Sequence, residues 1–187
     1  MQHRERYRSL VPEDAYIISF SDLLVCRTQE AAKKIAKAIY YPLGGNWSSD
    51  AQKVGSEAHK IKENELSPDW INELKLAYKM FDGYYLVGGM DRYYFTTKTV
   101  EDFKTTEKSA DIYLDTNQIE TYSFLAMNND MTVTNGRYTM IDPKGDVLDV
   151  AEVPINAATV VRCYSTFILP RFNMIKNEIE RLKNQYV

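Results

Sequence analysis

The chain is poor in cysteine and histidine and has no long apolar run. Its two cysteines, Cys26 and Cys163, lie far apart in a sequence of 187 residues, which is long enough to build a core without disulfides. We therefore expect both to be buried thiols. A membrane-spanning helix needs about eighteen consecutive apolar residues, and the sequence has no such run and no secretory-signal pattern. We predict neither a membrane partner nor export.

The chain also lacks an excess of charge of one sign. It has 23 basic and 26 acidic residues, a formal net charge of -3. This balance argues against a polyanion-binding protein. The exception is a possible basic arm over residues 1–12, where Arg4, Arg6 and Arg8 could contact nucleic acid, although Glu5 interrupts the run.

Apolar periodicity predicts helices mainly in the first half of the chain. Thr28 is a good N-cap for a helix over residues 29–41, and the Ser-Pro-Asp sequence at 67–69 begins another helix that Gly83 ends. A weakly amphipathic helix is predicted over residues 46–66. β-Branched and aromatic residues predict strands at 15–20, 23–25, 84–87 and 92–97.

Turn residues and alternating patterns predict an antiparallel meander in the second half. Asn135-Gly136 has the composition of a type I′ turn between strands at 131–134 and 137–141, and the turn at 142–145 leads into a strand at 147–153. Further predicted strands cover residues 111–114, 120–126 and 159–169, with a turn or helical excursion over 100–106.

These elements define the predicted fold class. We predict a single α+β domain over residues 1–187, with helices mainly in the N-terminal half and an antiparallel β-meander in the C-terminal half. An amphipathic helix over residues 171–187 closes the fold, because its apolar residues recur at spacings of three and four.

Aromatic residues indicate where the chain could bind a partner. They make up 12% of the sequence, 14 of them tyrosine, a side chain that combines a large contact area with a polar tip. We predict protein partners and a homo-oligomer or larger assembly; the alternative is that a second layer of the same chain covers these residues. The predicted interface residues are Tyr84, Tyr85, Tyr93, Tyr94, Phe172, Ile175, Ile179, Leu182 and Tyr186.

The sequence offers little for a metal or nucleotide site. Neither His3 nor His59 has a cysteine or carboxylate at metal-ligand spacing, so no metal and no cofactor are predicted, and His59 is interpreted as a solvated residue of a polar helix. Gly88-Gly89 leads through Met90-Asp91 into another strand, which favours a turn or bulge over a phosphate-binding loop.

One set of residues resembles the mono-ADP-ribosyltransferases. Arg27 follows a strand, Thr96 and Thr97 end the aromatic strand, and a strand-associated acid follows, either Glu120 or Glu152. This order is similar to the Arg, Ser/Thr and Glu order of that family. The resemblance implies that Arg27 and Thr97 would hold NAD and that the glutamate would orient the acceptor or stabilise an oxocarbenium-like ribose.

The tyrosine content and the amphipathic C-terminal helix favour a protein-binding function over this partial enzyme pattern. We predict a non-catalytic binding or assembly protein, and a composition tilted toward Lys, Asn, Tyr, Ile and Thr suggests a phage virion component of the neck, tail-completion or baseplate type. The alternatives are a phage-encoded inhibitor of a host protein and a mono-ADP-ribosyltransferase-like enzyme that uses NAD. The expected location is the host cytoplasm or the virion.

Overall fold

A mixed six-stranded sheet forms the centre of the protein. The computed structural model describes residues 2–41, 50–106 and 109–185. The strand order is β1-β3-β4-β5-β6, and β2 pairs with β3 along nearly its whole length. The strands are β1 (Tyr16–Ser19), β2 (Trp70–Phe81), β3 (Tyr84–Tyr94), β4 (Thr99–Thr105), β5 (Asn135–Ile141) and β6 (Val147–Pro154).

Helices precede, interrupt and follow the strands. They are α1 (Gln2–Glu5), α2 (Phe20–Val25), α3 (Gln29–Tyr40), α4 (Asp50–Glu63), α5 (Gln118–Met127), α6 (Ala157–Cys163) and α7 (Leu169–Lys183). A π-helical turn, Tyr164–Ile168, joins α6 to α7. Within the described ranges, none of these helices has the length and apolar character needed to cross a membrane.

Two of the strand pairs are parallel, namely β1 with β3 and β4 with β5, while the others are antiparallel. A parallel pair needs a long crossover connection, and α5 supplies it between β4 and β5. Because α5 lies on the sheet, Ile119 and Leu125 are completely buried in the main core. Helix α7 packs against α3 and contributes Phe172, Ile175 and Ile179 to the same main core.

Helix α4 and helix α5 contact opposite faces of β4. Ala58 of α4 packs with Phe103 of β4 and Ile141 of β5 in a small separate cluster. The neighbouring side chain on β4, Asp102, contacts Gln118 of α5 instead. Successive residues of a strand point to opposite faces, so β4 presents alternating side chains to the two helices.

The α+β class is confirmed, and so is the closing C-terminal helix, which begins at Leu169. Helix α3 is also confirmed, with the Thr28 hydroxyl accepting a hydrogen bond from the Ala31 amide. Helices occur in both halves, and the sheet is mixed because β4 and β5 run parallel. Both cysteines are free and buried, as predicted.

The helix predicted over residues 67–82 is wrong, because β2 occupies this segment. Leu74, Leu76, Tyr78 and Met80 pack against the main core at every second position, which is strand periodicity. Gly83 does adopt a positive φ of 74°, but in the turn that joins β2 to β3.

Several predicted strands are helical instead. Residues 23–25 belong to α2, residues 120–126 to α5 and residues 159–169 to α6, the π-helical turn and the start of α7, while residues 111–114 lie at a short 3-10 turn. Conversely, residues 100–106, predicted as a turn or helix, contain β4. Asn135-Gly136 does not form a hairpin turn, since both residues pair with β4 as the start of β5.

Candidate active site

A gap in strand pairing exposes Asp91 of β3. One side of β3 pairs with β1 through residues 84–87 and with β4 through residues 92–94. Asp91 lies between these two pairings, and its Oδ2 accepts a hydrogen bond of 2.6 Å from the Phe103 amide of β4. A change of neighbour along one strand is a switch point of the sheet, where ligands commonly bind, and we call the region beside Asp91, between β3 and β4, the crevice.

Asp102 and Lys104 of β4 face the same crevice from the α5 side. The Lys104 ammonium lies 2.6 Å from Asp102 Oδ2. Gln118, in the first turn of α5, connects the two: its Nε2 donates to Asp102 Oδ1 at 2.6 Å, and its Oε1 accepts from Lys104 Nζ at 2.9 Å. One amide therefore fixes both the carboxylate and the ammonium.

Tyr122 holds this amide in turn. Gln118 and Tyr122 are four residues apart on α5, so they lie on the same helix face, and Gln118 Nε2 approaches the Tyr122 hydroxyl at 2.8 Å. Tyr122 is buried, and burial raises the pKa of its phenol well above the ordinary value. Tyr122 remains a neutral phenol that supports the amide.

His59 reaches the crevice from α4. Its Nδ1 lies 3.6 Å from Asp91 Oδ2, and its ring packs edge to face against Phe103 with centroids 6.2 Å apart. Burial lowers the pKa of His59, but the adjacent Asp91 carboxylate raises it by more, so the pKa is raised overall. The interpretation of His59 as a solvated helix residue is therefore wrong.

The charged groups of the crevice shift one another's pKa values. The pKa of Asp102 is raised to about 6, because burial and the charge of Asp91 raise it by more than the Lys104 ammonium lowers it. Burial alone would lower the pKa of Lys104, but the charges of Asp102 and Asp91 raise it by more than burial lowers it. The pKa therefore lies above its ordinary value, and Lys104 stays a cation. A cation placed between two carboxylates relieves their mutual repulsion, so this pair is a candidate cation site.

The donor set suits a hard divalent cation. Among the described residues, no three His, Cys, Asp or Glu side chains form a preassembled metal cluster. Mg²⁺ does not require such a cage, because it typically takes one or two protein carboxylates and completes its shell with water and substrate phosphate oxygens. Asp91, whose side chain is 20% exposed, and Asp102 are the carboxylates that could serve such a cation, and His59 places a nitrogen beside Asp91.

The residues of the ADP-ribosyltransferase resemblance have separate neighbours. Arg27 is exposed beyond α2 and lies near Arg171, while Thr97 is in the turn after β3, where its hydroxyl contacts that of Thr99. Glu120 is buried in α5, and Glu152 is exposed on β6 beside Arg137. The four side chains thus lie in four different local environments, and no contact between any two of them is seen among the described residues.

Most of the predicted interface residues pack inside the chain. Phe172, Ile175, Ile179 and Leu182 of α7 are buried in the main core, as are Tyr84 and Tyr93. The alternative of a second covering layer from the same chain thus accounts for them. Tyr85 and Tyr94 are half-buried, and Tyr186 lies outside the described residues. The homo-oligomer stays a prediction.

The predicted basic arm is folded onto the protein. Arg4 pairs with Asp22 at the start of α2, and Arg6 donates to the Tyr7 hydroxyl at 2.8 Å. Arg8 donates to backbone carbonyls, including that of Ala15 at 3.0 Å. All three guanidinium groups already have partners within the chain.

Five residues of this site were not predicted from the sequence as functional: Asp91, Asp102, Lys104, Gln118 and Tyr122. Two short sequence patterns could have indicated these site residues. One is Gly-Gly-Met-Asp followed by Asp-Phe-Lys on the next strand, and the other is a Gln and a Tyr four residues apart. The first pattern places an acid on each of two neighbouring strands, and the second places two polar groups on one helix face. Each is short enough to occur by chance, and only the fold brings them together.

Solved structures with this fold include several exonucleases. The phage-related exonuclease from Haemophilus somnus 129PT is 12% identical, with a TM-score of 0.56 over 85% of this chain and 83% of that one. LHK-Exo, solved with dAMP, is 12% identical, with a TM-score of 0.58 over 90% and 92%. A putative exonuclease from Eubacterium rectale is 14% identical, with a TM-score of 0.56 over 94% and 86%. No protein-family model and no curated protein sequence matches the chain.

These comparisons overturn the predicted function. The prediction of a non-catalytic binding or assembly protein of a phage virion is wrong, because solved structures described as exonucleases share this fold. The prediction failed because it weighed the tyrosines and the C-terminal helix, which pack in the core, and overlooked the acids and the lysine on β3 and β4.

Proposed function

We propose that this chain is a metal-dependent nuclease with a PD-(D/E)XK-like fold, which hydrolyses phosphodiester bonds of DNA from strand ends. The observation that carries the proposal is the placement of Asp91 on β3 beside Asp102 and Lys104 on β4: the Phe103 amide binds Asp91, and the Gln118 amide joins Asp102 to Lys104. Two acids and a lysine supply the negative and positive charge that phosphodiester hydrolysis requires.

Asp91 and Asp102 would hold the divalent cation, with His59 as a further donor. A cation bound there supplies a water of lowered pKa and neutralises charge on the phosphate. The protein prepares both carboxylates for this role. The Phe103 amide orients Asp91, and Gln118 orients Asp102, so neither carboxylate has to be ordered when the substrate arrives.

Lys104 acts as a cation and not as a general base. A lysine base needs a lowered pKa, whereas Asp102 and Asp91 raise the pKa of Lys104. Its ammonium lies in the crevice and can donate to a phosphate oxygen as negative charge develops there during attack by water. One N–H of Lys104 donates a hydrogen bond to Gln118 Oε1, and this bond fixes the direction of the remaining N–H donors.

The exonuclease part of the proposal derives from the neighbours in fold. Three of them are described as exonucleases, one solved with the deoxynucleotide dAMP. A nuclease that acts from an end releases mononucleotides of this kind. We therefore infer deoxynucleoside monophosphates as the products.

The test uses linear duplex DNA and the same DNA as a covalently closed circle, with Mg²⁺ or Mn²⁺ and with EDTA. The wild type should release mononucleotides from the linear DNA only, and EDTA should stop the reaction. Asp102→Asn and Lys104→Ala should each lower the rate by about 100-fold or more, the scale expected for losing a charge that stabilises the transition state.

Matched controls on the surface turn between β5 and β6 are Asp146→Asn and Lys144→Ala, both of exposed residues, and these variants should keep full activity. Cleavage of the closed circle would support nuclease activity but contradict the proposal that the enzyme needs a DNA end. No hydrolysis of either DNA with either cation would overturn the nuclease itself, and full activity in Asp102→Asn would overturn the site assigned to it.

A further inference from the structure

Two strand residues hold the C-terminal end of α4. Asn72 of β2 and Arg92 of β3 are directly opposite each other in the antiparallel register. Asn72 Nδ2 donates to the Glu63 and Glu65 carbonyls at 2.9 and 2.7 Å, and Arg92 Nη2 donates to the Lys62 carbonyl at 2.8 Å. The last carbonyls of a helix have no partner within the helix, so these donors satisfy them.

The two side chains also fix each other. Arg92 Nε donates to Asn72 Oδ1 at 2.8 Å, so the amide is oriented with its donors toward α4. The Arg92 side chain is 5% exposed and pairs with Glu65 Oε2 at 3.0 Å. A cation at a helix C-terminus also interacts favourably with the helix dipole. We call Asn72 and Arg92 the α4 clamp.

Aromatic rings hold the guanidinium in place. The Arg92 guanidinium carbon lies 4.6 Å from the centre of the Trp70 ring and 5.1 Å from that of Phe103. Phe103 is also the residue whose amide binds Asp91 and whose ring packs against His59. The clamp and the crevice therefore share one side chain of β4.

The clamp lies next to the contact between His59 and Asp91. Arg92 follows Asp91 on β3, and Lys62 lies about one helical turn after His59 on α4. Two links therefore connect the same short stretches of strand and helix. One is the clamp bond from Arg92 to the Lys62 carbonyl, and the other is the 3.6 Å approach of His59 to Asp91.

We propose that Asn72 and Arg92 are positioning residues that hold the end of α4 so that His59 stays against Asp91. This proposal rests on the proposed nuclease function for its catalytic consequence, but the clamp itself is a structural claim that can be tested separately. Polar groups that orient a metal-site residue typically change affinity or activity by about 10- to 100-fold when they are removed.

The structural test is amide hydrogen exchange of the full chain without metal. Asn72→Ala removes both amide donors, and Asn72→Asp removes them while keeping an acceptor for Arg92. Exchange over residues 57–65 should become faster in both variants. The matched control is Asn128→Ala, which removes an equivalent bond from Nδ2 to the Phe124 carbonyl of 2.8 Å at the end of α5. This control should leave exchange over residues 57–65 unchanged.

The functional test is a double-mutant cycle with His59→Ala. Asn72→Asp should lower the turnover rate on linear DNA by about 10-fold, and in the His59→Ala background it should cost nothing further, because the clamp acts through His59. Arg92→Lys, which keeps the charge but loses the fork, should behave in the same way. Losses that multiply in the double variant would show general destabilisation and overturn the proposal.

The two tests separate the possible failures. Unchanged exchange over residues 57–65 in both Asn72 variants would overturn the clamp, whatever the activity. Faster exchange in a wild-type protein that has no nuclease activity would confirm the clamp as a support of α4 and overturn its proposed catalytic role together with the proposed function.

Discussion

The Phe103 amide donates to Asp91 Oδ2 at 2.6 Å, in the place where a strand partner would supply a carbonyl. The pairing of β3 with β4 extends from Tyr94–Thr99 to Arg92–Glu101. Beyond it, the Asp91 side chain accepts the hydrogen bond of a β4 amide in place of a backbone carbonyl of β3. The acid thus has a structural role, as a hydrogen-bond acceptor, and a chemical role, as a negative charge beside Asp102.

Asparagine and alanine at position 91 should separate these two roles. Asp91→Asn keeps an oxygen for the Phe103 amide and removes the repulsion with Asp102, so it should abolish cleavage without lowering the free energy of unfolding. Asp91→Ala should abolish cleavage and be less stable than Asp91→Asn by about 1 kcal/mol, the usual worth of such a hydrogen bond. Denaturant unfolding without metal measures the difference. Equal stability of the two variants would contradict the structural role.

Gln118 should matter because it binds two charged groups at once. Gln118→Ala releases both Asp102 and Lys104 and should lower activity by about 10- to 100-fold. Gln118→Glu should be worse, since it places a third carboxylate against Asp102 Oδ1. Initial rates on linear DNA test this order. Gln29→Ala is the control, because Gln29 also binds a carboxylate, that of Glu178, but between α3 and α7. An alanine variant at position 118 with full activity would contradict the role of the amide.

Glu120 should make stability depend on pH. It is 8% exposed, and its Oε2 has no hydrogen-bond partner among the described residues. Burial raises the pKa of Glu120, while its own backbone amide and Arg162 lower it less. A carboxyl with a raised folded-state pKa favours the folded protein below its unfolded-state pKa, and this contribution is lost as pH rises through the folded-state pKa.

The measurement compares unfolding free energies of the wild type and Glu120→Gln from pH 4 to 8. The stability of the wild type relative to the variant should fall as pH rises through and above the ordinary glutamate value of about 4.3. Glu152→Gln is the control, since Glu152 is exposed on β6. A constant difference between wild type and Glu120→Gln over the whole range would contradict a raised pKa.

The sequence predicts elements well where local signals and tertiary packing agree. Thr28 caps α3, and the turn at residues 142–145 leads into β6, because capping and turn chemistry are local. Residues 120–126 are buried on every side, the polar Glu120, Thr121 and Ser123 included, because α5 packs against the sheet and the neighbouring helices. A helix buried all round loses its periodicity and cannot be distinguished from a strand by pattern alone.

The segment at residues 67–82 shows the opposite conflict. Its Ser-Pro-Asp start resembles a helix cap, and Ile71, Leu74 and Tyr78 fit helical spacing, but β3 offers backbone partners along the whole length of β2. Pairing with another strand decides the structure, and a local pattern cannot include it. The same holds for the candidate site, whose charged residues on β4 interrupt the apolar pattern of a central strand and so conceal it.

Gly136 illustrates how a turn signal can have a packing cause. A Cβ at this position would overlap Ile119 Cγ2, so α5 can approach β5 only over a glycine. Gly136→Ala should therefore destabilise the protein by about 1–3 kcal/mol, the usual cost of overpacking a core. Thermal and denaturant unfolding of the variant measure the loss.

A second change identifies the contact responsible. Ile119→Leu removes the Cγ2 branch, so in the Gly136→Ala background it should recover part of the lost stability, although the same change should be destabilising in the wild type. Recovery in the double variant would show that the helix and the strand meet at these two residues. Additive losses would mean that the alanine acts elsewhere, for instance on the pairing of β4 with β5, where Gly136 is opposite Val100.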